Sequence, residues 1–156
     1  MAKRHSSLVP LSHDHHHGLA LALRLRQGDK ALLNDGWTHD RNEQARRVAK
    51  FYDDELRRHF KAEEDVVFPA MLHHVPQSSA MIEILIQQHR EIERLVGEIR
   101  RIHDARLELN LVALGELLEK HIRIEERDVF ETFQSQVPLD VVERVGEGVK
   151  RIYRHG

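Results

Sequence analysis

The sequence predicts an all-α protein, an up-down-up-down four-helix bundle with a short additional C-terminal helix. The chain is 40% hydrophobic and 32% charged but only 5% aromatic, with four prolines, a composition typical of amphipathic helices. Apolar residues recur at alternating steps of three and four, as in a bundle core. A polar motif also occurs twice, 62 residues apart, as expected if the chain runs down one long helix and returns along another.

The length of the chain, 156 residues, is sufficient for one self-supporting core. We expect a single domain over residues 1–156. Its bundle core should span about residues 11–134, followed by a C-terminal helix at about 139–154.

The first two helices are delimited by capping residues, a glycine and a proline. Helix 1 is expected to begin with Ser12 as its N-cap and to end at Gly28. Asp14 would then lie in the first turn, where the helix dipole favours an acid. Helix 2 is expected to begin near Asp40, and Pro69 should end or kink it.

The next two helices carry the clearest apolar pattern. Helix 3, from about Ala80 to Ala105, has a core-facing row of Ile82, Leu85, His89, Ile92, Val96, Ile99 and His103. Helix 4, from roughly Leu109 to Gln134, has a matching row of Leu111, Leu114, Leu118, His121, Glu125 and Val129. After Pro138, a last amphipathic helix is expected from Asp140 to Arg154.

The repeated motif is a histidine followed, four residues later, by two glutamates, with a phenylalanine closing the segment. It runs from His59 to Phe68 and again from His121 to Phe130. Residues four apart share one face of a helix, so each copy presents an imidazole and a carboxylate to a common point. Two facing helices could then hold metal between them. Since the chain has no cysteine, any metal must use nitrogen and oxygen ligands.

Two further histidines are candidate ligands. His89 occupies a core-facing position, where an imidazole needs a buried partner or a metal. In helix 1, at about 100° per residue, His15 lies about 30° from the mean direction of the leucines. His16 lies about 130° away, which favours His15 and leaves His16 as the alternative. A separate metal-scavenging tract is the other interpretation of the histidines in this segment.

The candidate metal ligands are His15, His59, Glu63, His89, His121 and Glu125. Four imidazoles and two carboxylates exceed the needs of one tetrahedral zinc but suit two adjacent ions bridged by carboxylates, and we expect iron. Glu64, Glu93 and Glu126 could orient the imidazoles, although each could also be a solvated surface acid.

Charge and hydropathy exclude several classes of function. Lys and Arg number 24 against 26 Asp and Glu, and they alternate along the chain, so we expect no nucleic-acid partner. No apolar run approaches the ~18 residues of a membrane span, and the N-terminus lacks a signal-peptide core. We therefore expect a cytoplasmic protein that does not bind membranes. The oligomeric state and any protein partner are left open.

The histidine and glutamate pattern resembles the hemerythrin-like, or HHE cation-binding, family of four-helix non-haem di-iron proteins. The resemblance spans Leu11 to Phe130. The segment from Leu11 to His15 is similar to the family's first-helix pattern of a leucine, two spacers, an acid and the ligand histidine. The resemblance implies that His59, His89 and His121 are further ligands and that Glu63 and Glu125 bridge two irons.

The sequence departs from the oxygen-carrying hemerythrins. Those place a second histidine in helix 3, where this chain has Glu93, and an aspartate five residues after the helix-4 histidine, where this chain has Glu125 at four. More oxygen ligands favour ferric iron, so we expect the binding or sensing of a small diatomic or peroxidic ligand, or iron handling. Alternatives are a metal-free scaffold for a protein partner, and a di-iron oxidase, whose usual Glu-x-x-His motif this chain lacks.

Overall fold

The regular structure of the described part of the chain is entirely helical. The computed structural model describes residues 3–155, and no strand occurs within that range. The α-helices are α1 (Val9–Gln27), α2 (Arg41–Phe51), α3 (Arg57–Ala62), α4 (Phe68–His74), α5 (Ser79–Arg101), α6 (Arg106–Ile124), α7 (Glu131–Gln136) and α8 (Leu139–His155). The predicted all-α class is confirmed.

Three π-helical turns join shorter helices into longer ones. The turns Tyr52–Leu56 and Glu63–Val67 connect α2, α3 and α4 into one continuous helix over residues 41–74. The turn Glu125–Phe130 connects α6 and α7 into another, over residues 106–136. With α1, α5 and α8, the described part of the chain therefore has five long helical segments.

The first helix begins earlier than the sequence predicts. A 3-10 turn at Ser6–Leu8 leads directly into α1 at Val9, so Ser12 lies inside the helix and its assignment as N-cap is wrong. Pro10 accounts for the difference, because a proline fits the first turn of a helix, where its missing N–H would have no partner. The end at Gly28, with φ of 57°, is as expected.

The second helix begins as predicted but continues past its proline. The Asp40 carboxylate caps it by accepting the backbone N–H groups of Asn42 and Glu43 at 2.9 and 3.3 Å. Pro69 neither ends nor interrupts the helix, which runs to His74. The preceding π turn is wider than an α turn, and it relieves the clash between a proline ring and the preceding turn.

The third helix is shorter than predicted and the fourth is longer. Helix α5 ends at Arg101, so His103 lies beyond it and is exposed; its predicted core-facing position is wrong. The Asp104 carboxylate accepts the backbone N–H of Arg106 at 2.9 Å, which starts α6 earlier than Leu109.

Two apolar clusters form the core, and a polar layer separates them. The first contains Ala22, Leu25, Val48, Leu56, Phe60, Ile92, Leu95, Ile99, Leu111, Leu118 and Ile122 among others. The second contains Leu8, Leu11, Val67, Phe68, Met71, Ile82, Leu85, Val129, Phe130, Phe133 and Val145 among others. Along α1 and α5 the chain passes from the second cluster to the first, and along the helices 41–74 and 106–136 it passes the opposite way.

Glycines allow two pairs of helices to approach closely. Helix α1 packs along α6, where a Cβ on Gly115 would lie 2.9 Å from the backbone oxygen of Ala22. Helix α8 packs against the helix 41–74, where a Cβ on Gly148 would lie 2.9 Å from Val66 Cγ1. These contacts bring α1 and α8 against the helices that carry the polar layer. Within residues 3–155, no helix has the length and apolar character needed to cross a membrane.

Candidate metal centre

All six predicted ligands lie in the polar layer, and each is at most 3% exposed. They form two groups of four, within each of which one ligand atom per residue lies within 4.8 Å of the others. One group comprises His15, His59, Glu63 and Glu125, and the other comprises Glu63, His89, His121 and Glu125. The two glutamates belong to both groups.

Each shared glutamate faces two histidines, one from each group. The nitrogen-to-oxygen distances are 3.3 Å for His59 Nε2–Glu63 Oε1, 3.1 Å for His89 Nε2–Glu63 Oε1, 2.9 Å for His15 Nε2–Glu125 Oε1 and 3.2 Å for His121 Nε2–Glu125 Oε1. Every Nε2 atom therefore points toward the two carboxylates at the centre of the layer.

Helix geometry places the glutamates in the same way in both copies of the repeat. His59 and His121 lie in the last turns of α3 and α6, one α-helical turn before Glu63 and Glu125. Both glutamates open a π-helical turn. Single π turns within α-helices are frequent at functional sites, and two of the three in this structure begin at a candidate bridging residue.

The outer nitrogen of each histidine also has a hydrogen-bond partner. This outer nitrogen is Nδ1, and each lies close to a side-chain oxygen of another residue. The Nδ1-to-oxygen distances are 2.6 Å for His15 to Glu126, 3.1 Å for His59 to Asp14, 2.6 Å for His89 to Glu64 and 2.8 Å for His121 to Gln88. In a neutral imidazole, Nδ1–H donates to this oxygen, which leaves the Nε2 lone pair directed inward. This arrangement orients histidines as metal ligands.

The repeat supplies more than its histidine and its first glutamate. The second glutamate of each copy contacts a histidine on another helix, and so does the closing phenylalanine. The Phe68 ring stacks on His89 with centroids 5.7 Å apart, and the Phe130 ring stacks on His15 at 5.3 Å. The two halves of the site are thus built alike.

Two outer partners were missed by the sequence reasoning, although a local signal existed. Asp14 and Gln88 immediately precede His15 and His89, and each accepts from the motif histidine of the next helical segment. Asp14 does not lie in the first turn of α1 as predicted; it is buried and serves the site. Glu93, a predicted orienting acid, instead contacts Arg90 at 2.6 Å.

The electrostatics of the cluster follow from burial and pairing. Burial alone would lower the pKa of His89, but the carboxylates of Glu125, Glu63 and Glu64 raise it to about 10. Burial opposes ionisation of Glu125, yet His121 and the other nearby groups hold its pKa well below the usual range. Without a cation, the cluster therefore stabilises itself by keeping histidines protonated beside ionised glutamates.

Self-pairing still leaves four buried polar atoms without a hydrogen bond: His59 Nε2, His121 Nε2, Glu63 Oε2 and Glu125 Oε2. Buried groups of this kind normally have partners. All four atoms belong to candidate ligands, and each has a lone pair that can bind a cation. The residues present therefore fit a metal centre.

Comparison with known protein families agrees with this geometry. The family model described as the hemerythrin HHE cation binding domain matches residues 8–133. The chain belongs to the hemerythrin HHE family. The match includes all six candidate ligands and their four outer partners, and the resemblance drawn from the motifs is confirmed. No curated protein and no solved structure matched the chain in the same comparisons.

The helix α8 follows the matched hemerythrin HHE region, yet it contacts the site. The Tyr153 hydroxyl donates a hydrogen bond to Asp14 Oδ2, the oxygen that also faces His59. The Arg58 guanidinium covers the Tyr153 ring at 4.4 Å from its centroid. Burial and the Asp14 carboxylate raise the pKa of Tyr153, so the phenol stays protonated and can donate this hydrogen bond.

The other histidines of helix 1 lie outside the cluster of candidate ligands. His16 is exposed, whereas His15 is buried, in agreement with the direction of the helix-1 leucines. His17 is also exposed, and its Nδ1 lies 2.7 Å from Glu55 Oε1. Of the histidines in this segment, the structure thus brings His15 into the cluster.

Proposed function

We propose that this protein binds two iron ions and uses them to bind or sense a small diatomic or peroxidic ligand. His15 and His59 would hold one ion, His89 and His121 the other, and the two shared glutamates would bridge them. The observation that carries the proposal is that both four-residue groups contain the same two buried carboxylates. A single-ion site would not need a second set of histidines.

The donor set favours iron among the common metals. Each position has two imidazoles and shared carboxylates, and two histidines with a carboxylate and open positions are typical of non-haem iron. Two irons would supply redox chemistry and open coordination positions for a small ligand. The ligand side chains are almost completely buried, which suits a ligand of a few atoms.

The protein's own residues would prepare the site in two ways. The four outer acceptors hold the Nδ1 protons, which fixes the ring orientation before metal arrives and raises the basicity of each imidazole. Stacked rings, including Phe68 on His89 and Phe130 on His15, exclude water from one face of those ligands.

We also infer the up-down-up-down arrangement of four helices. Its support is the alternating order of the two apolar clusters along α1, the helix 41–74, α5 and the helix 106–136. Successive helices meet the clusters in opposite order, as antiparallel neighbours would. In this arrangement each helix would bring one histidine to the same level. A single domain over residues 1–156 stays a prediction.

Ligand sensing suits this site better than reversible oxygen carriage. The helix-3 position that bears a histidine in the oxygen carriers is Glu93, which contacts Arg90 and Tyr52 rather than the cluster. The site thus has four histidines instead of five. Fewer imidazoles relative to oxygen donors favour the ferric state.

Iron content tests the site directly. The purified chain should hold two irons. Glu63→Ala should lose both, because a bridge neutralises charge on both ions, whereas His89→Ala should keep at least one. Glu93→Ala, an exchange of a glutamate outside the cluster, is the matched control and should hold two. Equal full occupancy in Glu63→Ala and His89→Ala would contradict the bridging role.

Ligand binding requires a separate measurement. We expect nitric oxide or azide to change the optical spectrum of the iron-loaded protein with saturable binding, and to leave the chelator-treated protein unchanged. An iron-loaded protein that gives no saturable change with nitric oxide, azide or peroxide would refute the sensing function while leaving the metal site intact.

A further inference from the structure

One half of the site differs from the other in the partner of its motif histidine. His59 donates to Asp14, a carboxylate, whereas His121 donates to Gln88, a neutral amide. Among residues 3–155, the Gln88 side chain has no other hydrogen bond. Asp14, in contrast, also accepts a hydrogen bond from the Tyr153 hydroxyl, and its Oδ1 lies 3.8 Å from Arg58 Nη2.

Tyr153 and His59 compete for the same atom. Both hydrogen bonds end on Asp14 Oδ2. A carboxylate that accepts the N–H of a ligand histidine makes that histidine a stronger donor to metal. A phenol on the same oxygen draws on the same negative charge, so it weakens the hydrogen bond to the histidine.

We propose that Tyr153 is a positioning residue that lowers the electron donation of His59 to its metal ion through Asp14. The inference rests on the proposed metal site. It makes α8, which lies outside the matched family region, a part of the centre. It also makes the two metal positions inequivalent, since the Gln88 half has no such hydroxyl within the described residues.

The two tyrosines of the chain provide a test variant and a matched control. They are Tyr52 and Tyr153, and the Tyr52 hydroxyl lies 3.4 Å from Glu93 Oε2, away from the histidines. Tyr153→Phe removes one hydroxyl and keeps the ring under Arg58. Tyr52→Phe is the same change where no effect on the centre is expected.

The readout is the midpoint potential of the iron-loaded full chain. In Tyr153→Phe, His59 should become a stronger donor and favour ferric over ferrous iron by about tenfold, which is the lower end of the range by which changes in outer partners alter metal affinity. A tenfold change is about 59 mV downward for a one-electron couple. Tyr52→Phe should keep the wild-type potential. An unchanged potential in Tyr153→Phe, or an equal shift in both variants, would overturn the proposal.

A second measurement should shift the midpoint potential in the opposite direction while leaving the packing of the Tyr153 ring unchanged. Incorporating 3-fluorotyrosine into the Tyr52→Phe chain labels Tyr153 alone and makes its hydroxyl a stronger donor, so the potential should rise. A fall, or no change, would refute the relay even if Tyr153→Phe did not fold.

Coupling to Asp14 separates a relay from a general effect on packing. In an Asp14→Asn background the carboxylate charge is gone, so adding Tyr153→Phe should shift the potential by much less than it does in the wild type. Full additivity would mean that Tyr153 does not act through Asp14. A wild-type chain without iron would instead overturn the proposed function and this inference with it, whereas two irons with an unresponsive potential would overturn this inference alone.

Discussion

Metal removal should destabilise the fold, and the structure gives the size of the effect. Four buried polar atoms of the site lack hydrogen bonds, and each such group costs about 1–3 kcal/mol. Metal binding would satisfy all four and would stabilise only the folded state. The gross gain is about 4–12 kcal/mol, comparable to the ~5–15 kcal/mol total stability of a typical domain.

The lower end of that range is the better expectation. In the metal-free protein, protonated histidines beside ionised carboxylates recover part of the penalty, as the raised pKa of His89 and the lowered pKa of Glu125 indicate. We therefore expect a loss of about 4 kcal/mol. For a chain of this size, ~2–4 °C per kcal/mol converts this to a melting temperature about 8–16 °C lower.

The assay is thermal unfolding followed by circular dichroism, with and without chelator at neutral pH. A double variant, Glu63→Gln with Glu125→Gln, keeps the side-chain volumes and removes both bridging charges. Its melting temperature should not respond to chelator, which controls for effects of the chelator itself. Equal melting temperatures of iron-loaded and iron-free wild type would refute the reasoning, because the unpaired atoms would then be harmless.

Four further outcomes follow from particular contacts. Gly115→Ala should destabilise the protein by about 1–3 kcal/mol through overpacking, because its Cβ would lie 2.9 Å from the Ala22 oxygen. Gly97→Ala, with nothing within 4 Å, should stabilise α5 by about 0.5–1 kcal/mol. Asp40→Ala should cost about 1 kcal/mol as a lost N-cap. In the metal-free protein, burial lowers the pKa of His89, but the facing carboxylates outweigh burial and raise this pKa to about 10. Its contribution to stability should be complete below the unfolded value of about 6.5 and disappear as pH rises through 10.

Urea unfolding measures all four. Stabilisation by Gly115→Ala would show that α1 and α6 are not in tight contact. The control for the cap is Asp40→Asn, which retains a capping oxygen. Equal stability of Asp40→Ala and Asp40→Asn would show that the cap does not stabilise the helix. For the pH dependence, His89→Gln is the comparison, and its metal-free form should lose less stability than wild type between pH about 6.5 and 10. Parallel pH profiles would contradict the assignment.

Much of the candidate site was determined by the sequence because its key relationships are local. The pairing of His59 with Glu63, and of His121 with Glu125, needs only a spacing of four residues on a helix. The burial of His89 follows from its row of apolar neighbours. The choice of His15 over His16 follows from the direction of the helix-1 leucines, and the structure buries one and exposes the other.

The helix boundaries were predicted less well because non-α turns alter them. A 3-10 turn precedes α1, so the helix passes through Ser12. A π turn precedes Pro69, so the helix passes through the proline. Both turns depend on local hydrogen bonds that residue propensities do not specify.

Only the tertiary structure decided which groups serve the histidines from outside. Glu64 reaches His89 and Glu126 reaches His15 across helix interfaces, at distances that depend on how the helices pack. Tyr153 meets Asp14 across 139 positions of sequence, and nothing in the periodicity of α8 relates those two residues. A helix specifies its own faces, but which residues of two different helices meet depends on their relative position and rotation, and these arise only when the apolar clusters pack.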